Sequence, residues 1–313
     1  MSGFVATAPG SIGNLGPGLD VLGCAVEGAS DEVTIDWTET PGIVIADPGH
    51  PDLPCDPERN TAAIAAAAVF ALARGEGNLR HTRGAILRVK KGLPLSGGQG
   101  GSAASAVAGA LAANALAGAK LSMADLARCA LEAESRVAGR HLDNIAPSLL
   151  GGIVLVRSVD PIDLVKIPVP EGLWVALASP HQRLETATSR GALPNEIPLS
   201  IAVHQMAQVG AIVAACASGD LALLGRAIDD RLAEPARANL IPGFAEAKRA
   251  ALRAGALGVS ISGAGPTVFA LAASKDAAGR AGSAIGSAWA LAGIKSTVRW
   301  AMVDRVGATV KPA

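Results

Sequence analysis

Residues 92–104 read GLPLSGGQGGSAA and run directly into an alanine-rich segment that ends near Leu116. The strand-like stretch 85–90 precedes them, so the local order is strand, glycine loop, helix. Gly97, Gly98, Gly100 and Gly101 surround one glutamine, and hydroxyls follow at Ser102 and Ser105. Glycine opens backbone conformations closed to other residues and lets a ligand come close. The first N–H groups of a helix have no partner within it and carry the positive end of its dipole. Together these features suit an anion, most often phosphate; the alternative is a plain turn ahead of a core helix. The spacing is neither GxxxxGK[ST] nor GxGxxG, which excludes a Walker loop and a dinucleotide fingerprint. A phosphate site without the Walker lysine calls for another source of positive charge, usually Mg2+ held by a hydroxyl and a carboxylate. Ser102 and Glu134 are candidates, although Glu134 also fits a solvated helix face.

At 313 residues the chain exceeds the size at which single cores stop growing, so two domains are expected. The boundary is placed between 157 and 172, giving 1–160 and 161–313. Half the residues are hydrophobic, 17% are charged and the formal net charge is zero. That composition supplies a real core and argues against nucleic-acid or anionic-membrane partners. Cys24, Cys55, Cys129 and Cys216 are scattered, with no CxxC pair and no histidine at metal-ligand spacing. The pattern suggests reduced thiols in a cytoplasmic protein. The start, MSGFVATAPG, lacks a basic n-region and an apolar h-region, so no signal peptide is visible. Apolar runs such as 62–73 are too short to span a bilayer.

Along the chain, 3–8 reads as a strand broken by Pro9, and 11–23 (SIGNLGPGLDVLG) as a loop carrying Asn14 and Asp20. Residues 31–37 alternate as a half-exposed strand, and 41–57 are proline-rich and irregular. A helix is predicted over 60–74 with Asn60 or Thr61 as its cap. Ser122 and Asp125 form a capping box for a helix running to about Val137. Residues 140–152 (RHLDNIAPSLLGG) depart from helix. Strands are predicted at 153–156, 164–167, 174–178, 258–262, 268–272 and 296–301. Helices are predicted at 200–217, 221–232, 244–254 and 277–292. The second half therefore mixes strands and helices in an α+β order.

Four segments together resemble the signature motifs of the GHMP small-molecule kinases, the family named for galactokinase, homoserine kinase, mevalonate kinase and phosphomevalonate kinase. They are 11–23, 92–105 (GLPLSGGQGGSAAS), 141–152 (HLDNIAPSLLGG) and 260–269 (SISGAGPTVF). The stretches NLGPGLD, HLDNIAP, 186–194 (TATSRGALP) and 231–244 (RLAEPARANLIPGF) are similar to the branch that acts on homoserine. The resemblance covers nearly the whole chain in the family's order. It implies a two-layer α/β (α+β) GHMP kinase fold, with an N-terminal domain like ribosomal protein S5 and a ferredoxin-like C-terminal domain.

The resemblance also implies residue roles. Pro94, Leu95, Ser96, Gly97, Gly98, Gln99, Gly100, Gly101, Ser102, Ala103 and Ala104 would wrap the ATP phosphates, with Asn60 near the adenine. Ser102 and Glu134 would hold Mg2+, and with Asn14 they form the catalytic set. Asn14 and Asp20 would face L-homoserine, Asp20 taking its ammonium group; His141 and Asn144 would line the same pocket. Arg190 and Arg237 would clamp the carboxylate beside Thr186, which suits the bidentate fit of guanidinium to carboxylate. Gly263 and Gly265 would form a loop closing against the phosphate loop, and Asp143 is read as bracing the turn that presents Asn144. The implied reaction is γ-phosphoryl transfer to a terminal hydroxyl without a dedicated side-chain base, in a homodimer. The family's loop is commonly GLGSSAA, so here Gln99 replaces an apolar residue and Gly101 a serine. The alternatives are a GHMP kinase for another alcohol, such as mevalonate or a sugar, and a catalytically silent homologue that binds ATP or an amino acid.

Overall fold

The computed structural model describes residues 3–77, 79 and 83–313. The first part of the chain forms β1 (Phe4–Gly13), β2 (Leu22–Thr38), β3 (Ile43–Asp47), α1 (Thr61–Gly75), β4 (Gly84–Lys90), α2 (Gly101–Ala117), α3 (Met123–Val137), α4 (Ile145–Leu150), β5 (Ile153–Val159) and β6 (Ile162–Ile167). It continues through β7 (Trp174–Pro180), α5 (Thr186–Gly191), α6 (Leu199–Ser218), α7 (Leu221–Arg226), α8 (Ala233–Arg237) and α9 (Phe244–Arg253). The last elements are β8 (Gly258–Ile261), β9 (Val268–Ala272), α10 (Lys275–Leu291), β10 (Ser296–Met302) and β11 (Thr309–Pro312).

Two sheets organise these elements. The first runs β11-β1-β2-β4-β3, and the β5–β6 hairpin branches from β2. Val33, Ile35, Leu87 and Val89 point from it into a core closed by α1, α2 and α3. Both α1 and α2 are alanine-rich because they lie close together and against the sheet. A Cβ on Gly109 of α2 would stand 2.3 Å from the Ala62 carbonyl oxygen of α1. The caps follow the sequence: Asn60 Oδ1 accepts from Ala62 N at 3.1 Å, and Ser122 Oγ accepts from Asp125 N at 3.1 Å. The second sheet is antiparallel throughout, in the order β10-β7-β9-β8. Counting its strands in chain order gives 4-1-3-2, with α10 crossing between the third and fourth, which is the ferredoxin-like arrangement. Phe244, Ile285 and Trp289 cover one face. The other face, through Val175, Leu177, Phe269 and Leu271, packs with Ile12, Leu22, Cys24 and Ile153 of the first sheet. The two sheets therefore share a core, and the loops at its edge are held in fixed relation.

Several elements differ from the sequence expectation. Pro9 does not end β1, because a register shift between Pro9 and Gly10 absorbs it and pairing with β2 resumes. Residues 43–47 are a strand rather than irregular chain, parallel to β4. The segment 140–152 contains α4, with Pro147 in its first turn, where a missing N–H is harmless. The helix predicted over 221–232 stops at Arg226, and Thr186 opens the short α5. The β5–β6 hairpin crosses residues 160–161, and β11 returns to β1, so the first sheet extends to Ile167 and recovers 309–312. Among the described residues, α6 alone is long and apolar enough to cross a membrane by length and composition. Gln205, in the middle of α6, is buried and hydrogen-bonded to the Pro17 carbonyl and Asp230.

The α1–α2 contact decides the sign of two glycine substitutions. Alanine normally raises helix stability over glycine by up to about 1 kcal/mol. At Gly109 the steric clash outweighs this, and Gly109→Ala should lose about 1–3 kcal/mol in chemical denaturation. Gly75→Ala, where nothing lies within 4 Å, should be neutral or slightly stabilising.

Candidate active site

The glycine loop sits where the two sheets meet. Gly98 and Gly100 have φ of 74° and 66°, and Gly100 is the residue before α2. A Cβ on Gly98 would lie 2.6 Å from the Gly265 carbonyl oxygen, and one on Gly100 2.2 Å from Ser11 Oγ. Both positions need glycine for conformation and for space. No side chain caps the first turn of α2, so its N–H groups remain available to an anion. They face a cavity of about 610 Å³ lined by Pro94, Leu95, Ser96, Gly97, Gly98, Gly100, Gly101 and Ser102. Gln99, Ala103 and Ala104, expected in the same set, are buried and do not line it. Asn60 does, at the start of α1.

Ser102 Oγ donates to Glu134 Oε1 at 3.1 Å, from α2 to α3. Glu134 is buried, which excludes the solvated-face reading; it lines the cavity, and its Oε2 has no hydrogen-bond partner. Burial pushes its carboxyl up to about 7. An orphaned carboxylate oxygen beside a serine hydroxyl fits a divalent cation. Mg2+ is commonly held by one or two carboxylates plus substrate phosphates and water. The described residues contain no cluster of three acidic, histidine or cysteine ligands, so the protein share of such a site is small.

Sequence reasoning missed a cation at the root of the loop. Lys91 Nζ pairs with Asp31 Oδ2 and lies 3.0 Å from both the Gly101 carbonyl oxygen and Ser105 Oγ. Asp31 Oδ1 accepts from the main-chain N–H groups of Gly92 and Leu93. The Walker lysine is absent from the motif, yet a lysine from the preceding strand end reaches the same neighbourhood. Arg59, Arg136 and Arg183 also line the cavity. A lysine one residue after a strand, abutting a glycine loop, was the available signal.

The other end of the cavity gathers the remaining expected residues. Asn14, Leu15 and Asp20 adopt positive φ, which costs about 1–3 kcal/mol each where the surroundings impose it. The turn is held by Asn14 itself. Its N–H donates to Asp143 Oδ2, its Nδ2 donates to the Gly263 carbonyl, and its Oδ1 accepts from Asp20 N. Asp143 therefore braces Asn14, rather than the turn presenting Asn144; Asn144 Oδ1 accepts from Ser11 Oγ at 3.0 Å. Burial, then repulsion from Asp20, raises the Asp143 carboxyl to about 7.

Asp20 and Arg190 form a bidentate ion pair at 2.9 and 2.8 Å, with His141 Nδ1 3.3 Å from Asp20 Oδ1. Residues expected at opposite ends of one ligand are thus paired with each other in the free protein. His141 is held below the usual imidazole range, chiefly by burial. Arg237 is buried and donates to the carbonyls of Ser189 and Gly263. Thr186 lines the cavity at the start of α5. Gly263 and Gly265 have positive φ and close the loop through Ser262, whose Oγ donates to the Gly98 carbonyl at 2.6 Å.

Comparison with known proteins identifies the family and the fold. Residues 60–152 match the family model of the GHMP kinases N terminal domain, and 212–291 match that of the GHMP kinases C terminal. A homoserine kinase of Chlorobium phaeobacteroides is 41% identical over 312 residues, covering 97% of this chain and 98% of that protein. A homoserine kinase of Arabidopsis thaliana is 42% identical over 310 residues, covering 96% and 82%. The crystal structure of a homoserine kinase from Cytophaga hutchinsonii superposes with a TM-score of 0.91 at 41% identity, covering 98% and 97% of the two chains. An L. major mevalonate kinase, 18% identical with a TM-score of 0.66 over 93% of this chain and 94% of its own, shares the fold.

The buried carboxyls give the free protein a pH dependence of known sign. Glu134 and Asp143 bind protons more tightly folded than unfolded, where their values are 4.5 and 3.8. Their ionisation therefore removes stability as pH rises from the unfolded values to about 7, and removes no more above that. The unfolding free energy of the metal-free protein, from urea titrations, should fall across this window, by at most about 1.4 kcal/mol per pH unit per group. Glu134→Gln, which keeps the shape and an acceptor for Ser102, should flatten the slope. An unchanged slope would show that Glu134 ionises normally.

Proposed function

The chain belongs to the GHMP kinases, and within them to the homoserine kinases; on that footing we propose that it transfers the γ-phosphoryl group of ATP to the hydroxyl of L-homoserine. The product is O-phospho-L-homoserine, on the way to threonine. One observation carries the reading beyond family membership. A single cavity has an uncapped helix start behind a glycine loop at one end and Asp20, His141, Arg190 and Arg237 at the other. The first suits the ATP phosphates and the second an amino acid in its zwitterionic form.

Each group has a part in this reading. The loop from Pro94 to Ser102, with the first N–H groups of α2, including that of Ala103, holds the phosphates; the Ala104 N–H is taken by the Gly100 carbonyl, and Gln99 acts from outside the cavity. Asn60 lies toward the base. Ser102 and Glu134 hold Mg2+, which when bound supplies positive charge against the phosphoryl oxygens. Lys91 adds a charge beneath the loop. In the filled site the homoserine ammonium takes Asp20 while its carboxylate takes Arg190 and Arg237. Because Asp20 and Arg190 are already paired, the swap leaves no charge unpartnered in either state of this half-buried site. Asn14 orients the hydroxyl, with His141, Asn144 and Thr186 completing the wall. Phosphoryl transfer depends mostly on positioning and charge stabilisation. Transfer without a dedicated side-chain base is consistent with Asp20 held by the substrate ammonium in the filled site and Asp143 committed to the Asn14 main chain.

Mevalonate would draw Arg190 to its carboxylate and strand Asp20, and a sugar would leave the Asp20–Arg190 pair without a charged partner to bind, which disfavours both. A silent binding protein finds no support in the intact Ser102–Glu134 pair. The two domains are read as following the two sheets, with β6 and β11 belonging to the first. A homodimer is proposed on family membership, and the exposed Leu199, Val203 and Met206 of α6 are where a second copy would gain most. A cytoplasmic location, without nucleic-acid or membrane partners, accords with free cysteines and zero net charge. The polar Gln205 network within α6 favours a surface helix over a membrane span.

The deciding experiment measures Mg2+-dependent ADP release with L-homoserine, D-homoserine, L-serine, mevalonate and galactose. Turnover confined to L-homoserine is expected; activity on mevalonate or galactose would overturn the substrate, and none at all would favour the silent reading. Asp20→Asn should raise the KM for homoserine at least about tenfold, with the KM for ATP nearly unchanged. If it instead abolished turnover while homoserine still bound, Asp20 would be acting in the chemistry.

A further inference from the structure

Gln99 is one of the two residues of the phosphate loop that depart from the family pattern, and its side chain turns away from the cavity. It is buried, with both ends of its amide engaged. Its Oε1 accepts from Arg299 Nη2 at 2.8 Å, and its Nε2 donates to Ser179 Oγ at 2.9 Å. Ser179 Oγ stands 2.7 Å from Thr267 Oγ1, which in turn donates to the Gly97 carbonyl oxygen. Each hydroxyl has one proton to give, so the directions are set. Arg299 can only donate, the amide passes the sense on through two hydroxyls, and the chain ends on a carbonyl two residues before Gln99. Arg299 Nη1 is anchored at 2.7 Å on the Glu27 carbonyl, in β2 of the first sheet. Arg299 lies on β10, does not line the cavity, and burial pushes its guanidinium down to about 10, still charged at neutral pH.

We propose that Arg299, acting through Gln99, is a positioning residue that sets the phosphate loop for ATP by tying residues 97–99 to both sheets. The inference rests on the reading of that loop as the ATP-phosphate site. The physical need is plain. Loop N–H groups bind phosphate only if they converge, and they converge when the carbonyls of the same peptides are held on the far side. Gly97 is held by Thr267, Gly98 by Ser262, and the Gln99 carbonyl accepts from Ser11 N at 3.1 Å. An apolar residue at 99 would leave the Arg299 donor unpaired and open the chain at its middle, so the two positions act as a unit.

Steady-state kinetics on Arg299→Met, Gln99→Leu and the double variant test this, with titration calorimetry of Mg·ADP on the same proteins. Either single change should raise the KM for ATP and weaken Mg·ADP binding by about fivefold or more, with the KM for homoserine within about twofold. The double variant should be no worse than the worse single, since the two act through one linkage. It also removes both polar partners together, so it carries the measurement if Arg299→Met does not fold. Folded variants with unchanged nucleotide affinity would overturn the proposal. So would an equal rise in both KM values, the mark of general loosening. Wild-type protein that binds no Mg·ADP would overturn the phosphate-loop reading itself, and this inference with it.

Discussion

The hydrogen bonds that fasten the carbonyls of Gly97 and Gly98 to Thr267 and Ser262 are the contact on which the rest of the architecture depends. A glycine loop has little side-chain bulk to hold its own shape, so its shape must be borrowed. Here it is borrowed from the second sheet, whose strand ends supply the hydroxyls. The first sheet contributes from the other side, where Asp31 holds the N–H groups of Gly92 and Leu93. The loop is bolted at its entry and at its turn to different sheets. The shared core of Ile12, Leu22, Leu177 and Phe269 keeps those two anchors from moving apart.

The charges follow a similar economy. Few of them are in the core, and those that are come with partners, Lys91 with Asp31 and Arg237 with two carbonyls; the half-buried Arg299 is held by Gln99 and Glu27. The exception is Glu134, which keeps an oxygen without a partner beside Ser102. Among the described residues the other buried polar side chains are satisfied, which singles out Glu134 as the group the fold leaves unpaired. Asp20 and Arg190 follow the opposite plan, each serving as the other's placeholder. The cavity thus has an unpaired carboxylate oxygen at one end and a charge-balanced ion pair at the other.

Much of this was legible in the chain, for identifiable reasons. Asn60 and Ser122 mark helix starts because capping is local chemistry. The glycine loop reads as strand, turn and helix because only glycine tolerates Gly98 and Gly100 conformations in so little space. The ordered motifs place Asn14, Asp20, Ser102, Glu134, Arg190 and Arg237, and the structure brings them to one cavity. Less legible were β3 and β11, short strands whose pairing partners lie far along the chain, and α6, whose apolar length obscures its buried polar network.

Sequence alone determined the family, the glycine loop, the helix caps and the types of side chain around the cavity, since these depend on residues near one another or on an ordered set of motifs. Tertiary structure decided who touches whom. That Gln99 faces Arg299 and not phosphate, that Asp143 holds the Asn14 main chain, that Asp20 pairs with Arg190, and that Lys91 reaches the loop are contacts across sequence separations of 10 to 200 residues or between sheets. No local pattern encodes such contacts, because hydrogen bonds and ion pairs are chosen by what packing brings within reach once the cores have closed.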